Sequence, residues 1–151
     1  MAITIKSARE IELMTEAGRI LEIVHEEMKK ALHPGMSTKD IDRIGEEVIR
    51  SYGCIPSFLN YHGYPASVCV SVNEEVVHGI PSTRKLKKGD IVSIDIGAEY
   101  KGYHGDSAWT YAVSEIDDNK KYLMEHTKNA SYQGIKQVKP GNRIGDISNA
   151  I

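Results

Sequence analysis

Two stretches that alternate like strands, separated by four residues, constrain this chain more than any other feature. Asp90 to Ala98 reads DIVSIDIGA and Tyr103 to Val113 reads YHGDSAWTYAV, with Glu99-Tyr100-Lys101-Gly102 between them. Alternation of apolar and polar residues marks a strand with one covered face. A short connection ending in glycine suits a β-hairpin. Pairing symmetric about that connection sets Asp95 across from Asp106, Ser93 across from Ala108 and Gly97 across from His104. One face then carries Ser93, Asp95, Gly97, His104, Asp106 and Thr110, because side chains alternate along a strand. The other carries Val92, Ile94, Ile96, Tyr103 and Trp109, which suits a core.

Facing carboxylates repel, so this pair calls for a reason. A shared proton is one. A divalent cation held between them is another, since carboxylate oxygens suit hard and borderline metals. Two aspartates facing water on an open sheet is the third. Gly97 and Gly105 leave room beside the pair.

Helical patterns flank the hairpin. Ser7 and Glu10 form the S-x-x-E signature of a capped helix start. Ile11, Met14, Ile20, Leu21, Val24, Met28 and Leu32 follow at helical spacing until Pro34-Gly35 stops the run. A second helix begins near Ser37 or Thr38, with Ile41, Ile44, Val48 and Ile49 on one face, and ends at Gly53. Ser67 to Val72 and Val76-Val77 read as further strands. A third helix spans about Asn119 to Val138, stopped by Pro140-Gly141. Pro34-Gly35, four residues and Asp40-Ile41 recur as Pro140-Gly141, four residues and Asp146-Ile147. A duplicated unit of helices followed by strands explains the echo, with a first half over about residues 1–115 and the start of a second over 116–151.

Composition bounds the functions open to such a chain. The net charge is -2, with 26% charged residues, and Arg84, Lys85, Lys87 and Lys88 are the longest basic stretch. That is a solvated loop rather than a phosphate-binding stripe, so a nucleic-acid partner is not expected. The start, Met1-Ala2-Ile3-Thr4, lacks the basic and apolar regions of a signal peptide, and no segment is apolar enough to span a membrane. The chain has two cysteines, Cys54 and Cys69, without a CxxC pattern. A reducing cytoplasmic setting is the expectation.

Other candidate residues have plain alternatives. His78, in Val76-Val77-His78-Gly79-Ile80-Pro81, stands where a strand breaks into a loop, which can present an imidazole or be incidental. Tyr61-His62-Gly63-Tyr64-Pro65 can line an apolar pocket or pack on the surface. His25-Glu26-Glu27 has Lys29 where a zinc helix of the H-E-x-x-H type needs histidine, so it is rejected. No G-x-S-x-G, P-loop or G-x-G-x-x-G is present.

Taken together, Tyr61 to Pro65, Ser67 to Glu74, Val77 to Pro81, Gly89 to Val92, Ile94-Asp95 and His104-Gly105-Asp106 resemble the type I methionine aminopeptidases, in order and spacing, over essentially the whole chain. The resemblance implies an α/β pita-bread fold, an antiparallel sheet with flanking helices, in two pseudo-symmetric halves. It implies two divalent metal ions (Co, Mn, Fe or Zn), with Asp95 on one ion and Asp106 bridging both. It also implies that His78 contacts the substrate amide or steadies the tetrahedral intermediate. Tyr61, Tyr64, Cys69 and Phe58 would line a methionine pocket. Phe58 stands where the family often has a smaller residue, which alters the pocket's shape.

One histidine and two glutamate ligands of the family lie beyond Ile151, so the 151 residues alone are expected to be nearly inactive. The implied function is removal of the initiator methionine from nascent proteins by hydrolysis of the first peptide bond. The implied partner is a peptide or nascent-chain N-terminus that begins with Met. The resemblance leaves room for ribosome association and implies no membrane and a monomeric complete enzyme. The rival readings are a non-catalytic interaction module on the same fold and a proline-specific aminopeptidase, the second opposed by the YHGYP segment.

Overall fold

The computed structural model describes residues 4–151, and the Met1–Ile3 part of the leader reading lies outside them. It divides into two compact units, one up to Glu115 and one from Ile116 to Ile151. In element order the first contains α1 (Ala8–Ala31), α2 (Thr38–Ser51), β1 (Ile55–Pro56), β2 (Val68–Val72), β3 (Ile91–Tyr100) and β4 (Tyr103–Ala112), with a short 3-10 turn at Tyr61–Gly63. The second contains α3 (Asp118–Ile135) and α4 (Ile144–Ala150).

Local chemistry sets the helix starts near the expected residues, while α3 ends at Ile135, short of the expected Val138. The Ser7 side chain accepts from the Glu10 amide, while Glu10 accepts from the Ser7 amide at 2.7 Å. Ser37 and Asp40 repeat the device at α2, with Asp40 accepting from the Ser37 amide at 3.1 Å. Each such cap stabilises its helix by about 1 kcal/mol. The Pro-Gly echo has matching backbones: Gly35 and Gly141 take φ of 91° and 92°. In the second copy Asp146 accepts from the Arg143 amide at 2.6 Å at the start of α4. In the second unit Gly134 of α3 lies against Ile147 and Ile151.

β3 is the axis of an antiparallel sheet. β4 pairs along its whole length on one side, and β1 and β2 share the other side end to end. Its even-numbered residues Val92, Ile94 and Ile96 are fully buried, together with Val68 and Val72 of β2. They pack with Ile20, Leu21, Val24 and Met28 of α1 and Ile41 and Ile49 of α2. Full burial of each such side chain is worth about 1.5–3 kcal/mol. The two helices therefore cover one face, and the odd-numbered residues of β2 and β3 point to the other.

Several expectations are corrected. The β3–β4 ladder pairs Gly97 with Asp106, Asp95 with Ala108, Ser93 with Thr110 and Glu99 with His104. The register is thus two residues from the symmetric one. Pairing runs on through Tyr100 and Tyr103, and the turn shrinks to Lys101-Gly102, with φ of 50° and 85°. Two left-handed residues in a two-residue loop suit the right-handed twist of a hairpin. A shift of two preserves the alternation, so Asp95 and Asp106 still share a face. Val76-Val77 is no strand; these residues are 85% and 63% exposed. Trp109 is 45% exposed rather than core, on a strand that pairs with β3 alone. Ile11 and Met14 are also exposed, since helical spacing marks a face without supplying what covers it.

Candidate metal and substrate site

β3 delivers Asp95 to the open face of the sheet, and β4 delivers Asp106 beside it. Because Gly97 occupies the position directly across from Asp106, the two carboxyls meet on the diagonal over a residue without a side chain. Oδ1 of Asp95 is buried and accepts no hydrogen bond. Burial, then the neighbouring Asp106 charge and a hydrogen bond between the two carboxyls, push the Asp95 pKa up to about 6. A buried carboxylate oxygen without a donor is costly. A cation supplies what is missing, so these residues fit a metal. They do not enclose one: among the described residues no three His, Cys, Asp or Glu side chains are grouped to hold an ion.

A cavity of 390 Å³ opens over this pair, lined by Phe58, Tyr61, Tyr64, Cys69, His78, Asp95 and Asp106. All seven candidates from the sequence line one space. Cys69 is the β2 partner of Asp95 in the ladder and is 4% exposed, its thiol pKa raised mainly by burial. The ring of Phe58 lies over Gly97, where an added Cβ would come within 2.6 Å of Cε1. Tyr61 is 66% exposed at the rim, in a loop closed by Asn60 N donating to Tyr64 O at 2.8 Å. The Tyr64 hydroxyl lies 2.9 Å from the Gly79 carbonyl and 3.2 Å from that of Val68, and burial raises its pKa strongly.

His78 is exposed and has a φ of 58°. A left-handed conformation at a residue with a Cβ costs about 1–3 kcal/mol and gathers at functional sites. Two neighbours were not foreseen. The Ser57 hydroxyl is 2.9 Å from Nδ1 of His104, whose Nε2 lies 4.0 Å from Glu99. Ser71, 4% exposed, accepts from the Gly79 amide at 3.2 Å. The first contact joins residues 47 apart and the second bridges eight residues across a loop, and no local pattern announces either.

A larger hollow of 480 Å³ lies between α2 and the loops around Pro65 and Pro81, bordered by Lys39 and Asp42. Its carboxylate is already engaged: Oδ1 of Asp42 accepts from the amides of Ser67 and Val68 at 2.8 and 3.0 Å. The smaller cavity holds the unsatisfied chemistry.

Residues 12–151 match the family description "Metallopeptidase family M24". The chain is 56% identical over 146 residues to methionine aminopeptidase 1 of Bacillus subtilis, covering 97% of this chain and 59% of that protein. The crystal structure of methionine aminopeptidase from Rickettsia prowazekii superposes with a TM-score of 0.97 at 34% identity, over 99% of this chain and 60% of that one. The Thermotoga maritima methionine aminopeptidase gives 0.96 at 42% identity, over 99% and 61%. The chain thus spans about three fifths of the length of these relatives.

Proposed function

The chain belongs to metallopeptidase family M24, and on that premise we propose that it carries one side of a methionine aminopeptidase centre. The carrying observation is the single cavity in which a carboxylate pair, one oxygen of it buried and unsatisfied, adjoins an aromatic and sulfur-lined wall.

In this reading Asp95 would hold one divalent ion and Asp106 would reach two, of the Co, Mn, Fe or Zn kind. When bound, such ions would supply an activated water and polarise the scissile carbonyl. The chain's own residues do the rest. Phe58, Tyr61, Tyr64 and Cys69 receive an unbranched thioether side chain, for which polarizable sulfur and aromatic edges are suited partners. His78, at the rim, donates to the substrate amide or to the oxygen that gains charge. The substrate is the Met-initiated N-terminus of a peptide or nascent chain. Two carboxylates leave most of each ion's shell to other donors, which the reading assigns to the part of the fold that only the longer relatives span. A cytoplasmic setting accords with the two free, buried cysteines, Cys54 and Cys69.

The test is methionine release from a Met-Ala-Ser peptide with Co²⁺ or Mn²⁺. It compares the 151-residue chain with a chimera carrying the last two fifths of the Bacillus subtilis relative. The chimera should turn over, and the 151 residues alone should be slower by more than about tenfold. A folded but inactive chimera contradicts the proposal. So does equal activity of the short chain.

A further inference from the structure

We infer that Ser71 and Tyr64 are positioning residues for His78: their hydroxyls grip the backbone of Gly79 and so hold the preceding residue in its left-handed conformation at the mouth of the cavity. The inference rests on the reading of His78 as a substrate-contacting group, but it is tested separately from that reading.

Asn73 and Glu75 anchor the start of the segment after β2, Asn73 through Ile91 and Asp90 and Glu75 through Val72 and Arg84, but the stretch from Val76 to Ile80 has little burial of its own. Val76, Val77 and Ile80 are 85%, 63% and 60% exposed, so no burial fixes this stretch of chain. Yet His78 keeps a φ of 58°, a conformation that costs free energy and persists only where the surroundings over-determine it.

The determinants converge on the next residue. Val70 of β2 donates its amide to the Gly79 carbonyl at 2.9 Å. The Tyr64 hydroxyl donates to the same carbonyl at 2.9 Å, using its second lone pair. The Gly79 amide donates to Ser71 Oγ at 3.2 Å. Both polar groups of one peptide residue are thus tied to the sheet and to the Tyr61–Pro65 loop. Contact is so close that a Cβ at Gly79 would fall 2.2 Å from the Val70 carbonyl oxygen. Only glycine can sit there, because the obstructing atom is backbone and cannot turn away.

Val70 donates through its backbone and would do so with any side chain but proline. The parts of the clamp that depend on side-chain identity are the two hydroxyls. Ser71 is 4% exposed and one alternation along β2 from Cys69, so it comes from the strand that also lines the cavity. Tyr64 lines the cavity with its ring and reaches Gly79 with its hydroxyl. Without the Ser71 oxygen the part-buried Gly79 amide loses its partner, and one of the ties that hold His78 in its strained conformation is gone. The segment should then relax toward an unstrained conformation.

The experiment is backbone NMR of the isotope-labelled 151-residue chain, reading the chemical shifts and HN–Hα coupling of residue 78 and its order parameter. Wild type should show a left-handed, rigid residue 78. Ser71→Ala and Tyr64→Phe should move those signals away from left-handed values and lower the order parameter from about 0.85 to below about 0.6. Ser71→Thr, which keeps the hydroxyl, should restore them. Ser93→Ala removes a hydroxyl on the same face that contacts Thr110 and not the loop; it should leave residue 78 unchanged. Tyr64→Phe keeps the ring and serves if Ser71→Ala fails to fold. An unaltered residue 78 in both variants overturns the inference, as does an equal change in Ser93→Ala. Whether His78 touches substrate is decided by His78→Ala in the chimera assay, whichever way the NMR falls.

Discussion

Asp106 stands across the ladder from Gly97, so its carboxyl reaches Asp95 diagonally over a residue that has no side chain of its own. The space that Gly97 leaves is taken by the edge of Phe58, which forms one wall of the cavity. One glycine therefore lets two carboxyls approach and lets the edge of an aromatic ring press close beside them.

Gly97→Ala is expected to disturb that wall. The new Cβ would meet Phe58 Cε1 at 2.6 Å and Ser57 Cβ at 2.9 Å. Overpacking of this kind typically costs about 1–3 kcal/mol. Urea unfolding should show a lower midpoint with an unchanged slope. A second change, Phe58→Ala, should recover most of the loss by removing the obstacle. No recovery would mean that the Phe58 contact is not the cause.

Asp95→Asn should stabilise the metal-free protein near neutral pH. The folded pKa of Asp95, about 6, lies above its ordinary 3.8, so the folded state binds the proton more tightly. Stability from this group is full below about 3.8 and is lost as pH rises through 6. Asparagine removes that loss. The side chain is only partly buried, so the gain is discounted for solvent screening to on the order of a few degrees in Tm. Melts in chelator at pH 4, 5, 6 and 7 should show the variant's advantage growing with pH. A difference independent of pH would contradict the burial of this carboxyl.

His25 should give the opposite slope. Burial lowers its pKa from the ordinary 6.5, against the raising effects of the Ser107 carbonyl and Glu26. Its ring joins α1 to β4, with Nδ1 3.0 Å from the Tyr111 hydroxyl and Nε2 3.0 Å from Ser107 Oγ. A depressed histidine pKa means that the unfolded chain binds the proton more readily, so stability falls as pH drops below about 6.5. His25→Gln, which cannot charge, should flatten the acid side of the stability profile between pH 6.5 and 5. An unchanged acid slope would exclude His25 as its source.

What could be read from sequence follows the reach of each interaction. The caps at Ser7 and Ser37 are settled within four residues; the first stands as expected, and the second adds an Asp40 partner to a helix start placed near Ser37 or Thr38. The common face of Asp95 and Asp106 survives because alternation tolerates a register error of two. The register itself depends on whether Glu99 and Tyr100 pair or turn, and Lys101 in a left-handed conformation gave no warning. Val76-Val77 looks like a strand by composition but pairs with no strand among the described residues. The grip of Ser71 and Tyr64 on Gly79 depends on how the intervening loops fold back, and that of Ser57 on His104 arises only when distant segments meet.

On the proposed function, the Asp95–Asp106 pair is a cation site in the cavity beside Cys69 and His78. Substoichiometric Mn²⁺ added to the labelled 151-residue chain tests it most directly, through paramagnetic broadening of backbone signals. The signals of residues 95, 106, 69 and 78 should broaden first, and Asp106→Asn should abolish that selectivity. Broadening that begins at other acidic residues, or that persists unchanged in Asp106→Asn, would contradict the account.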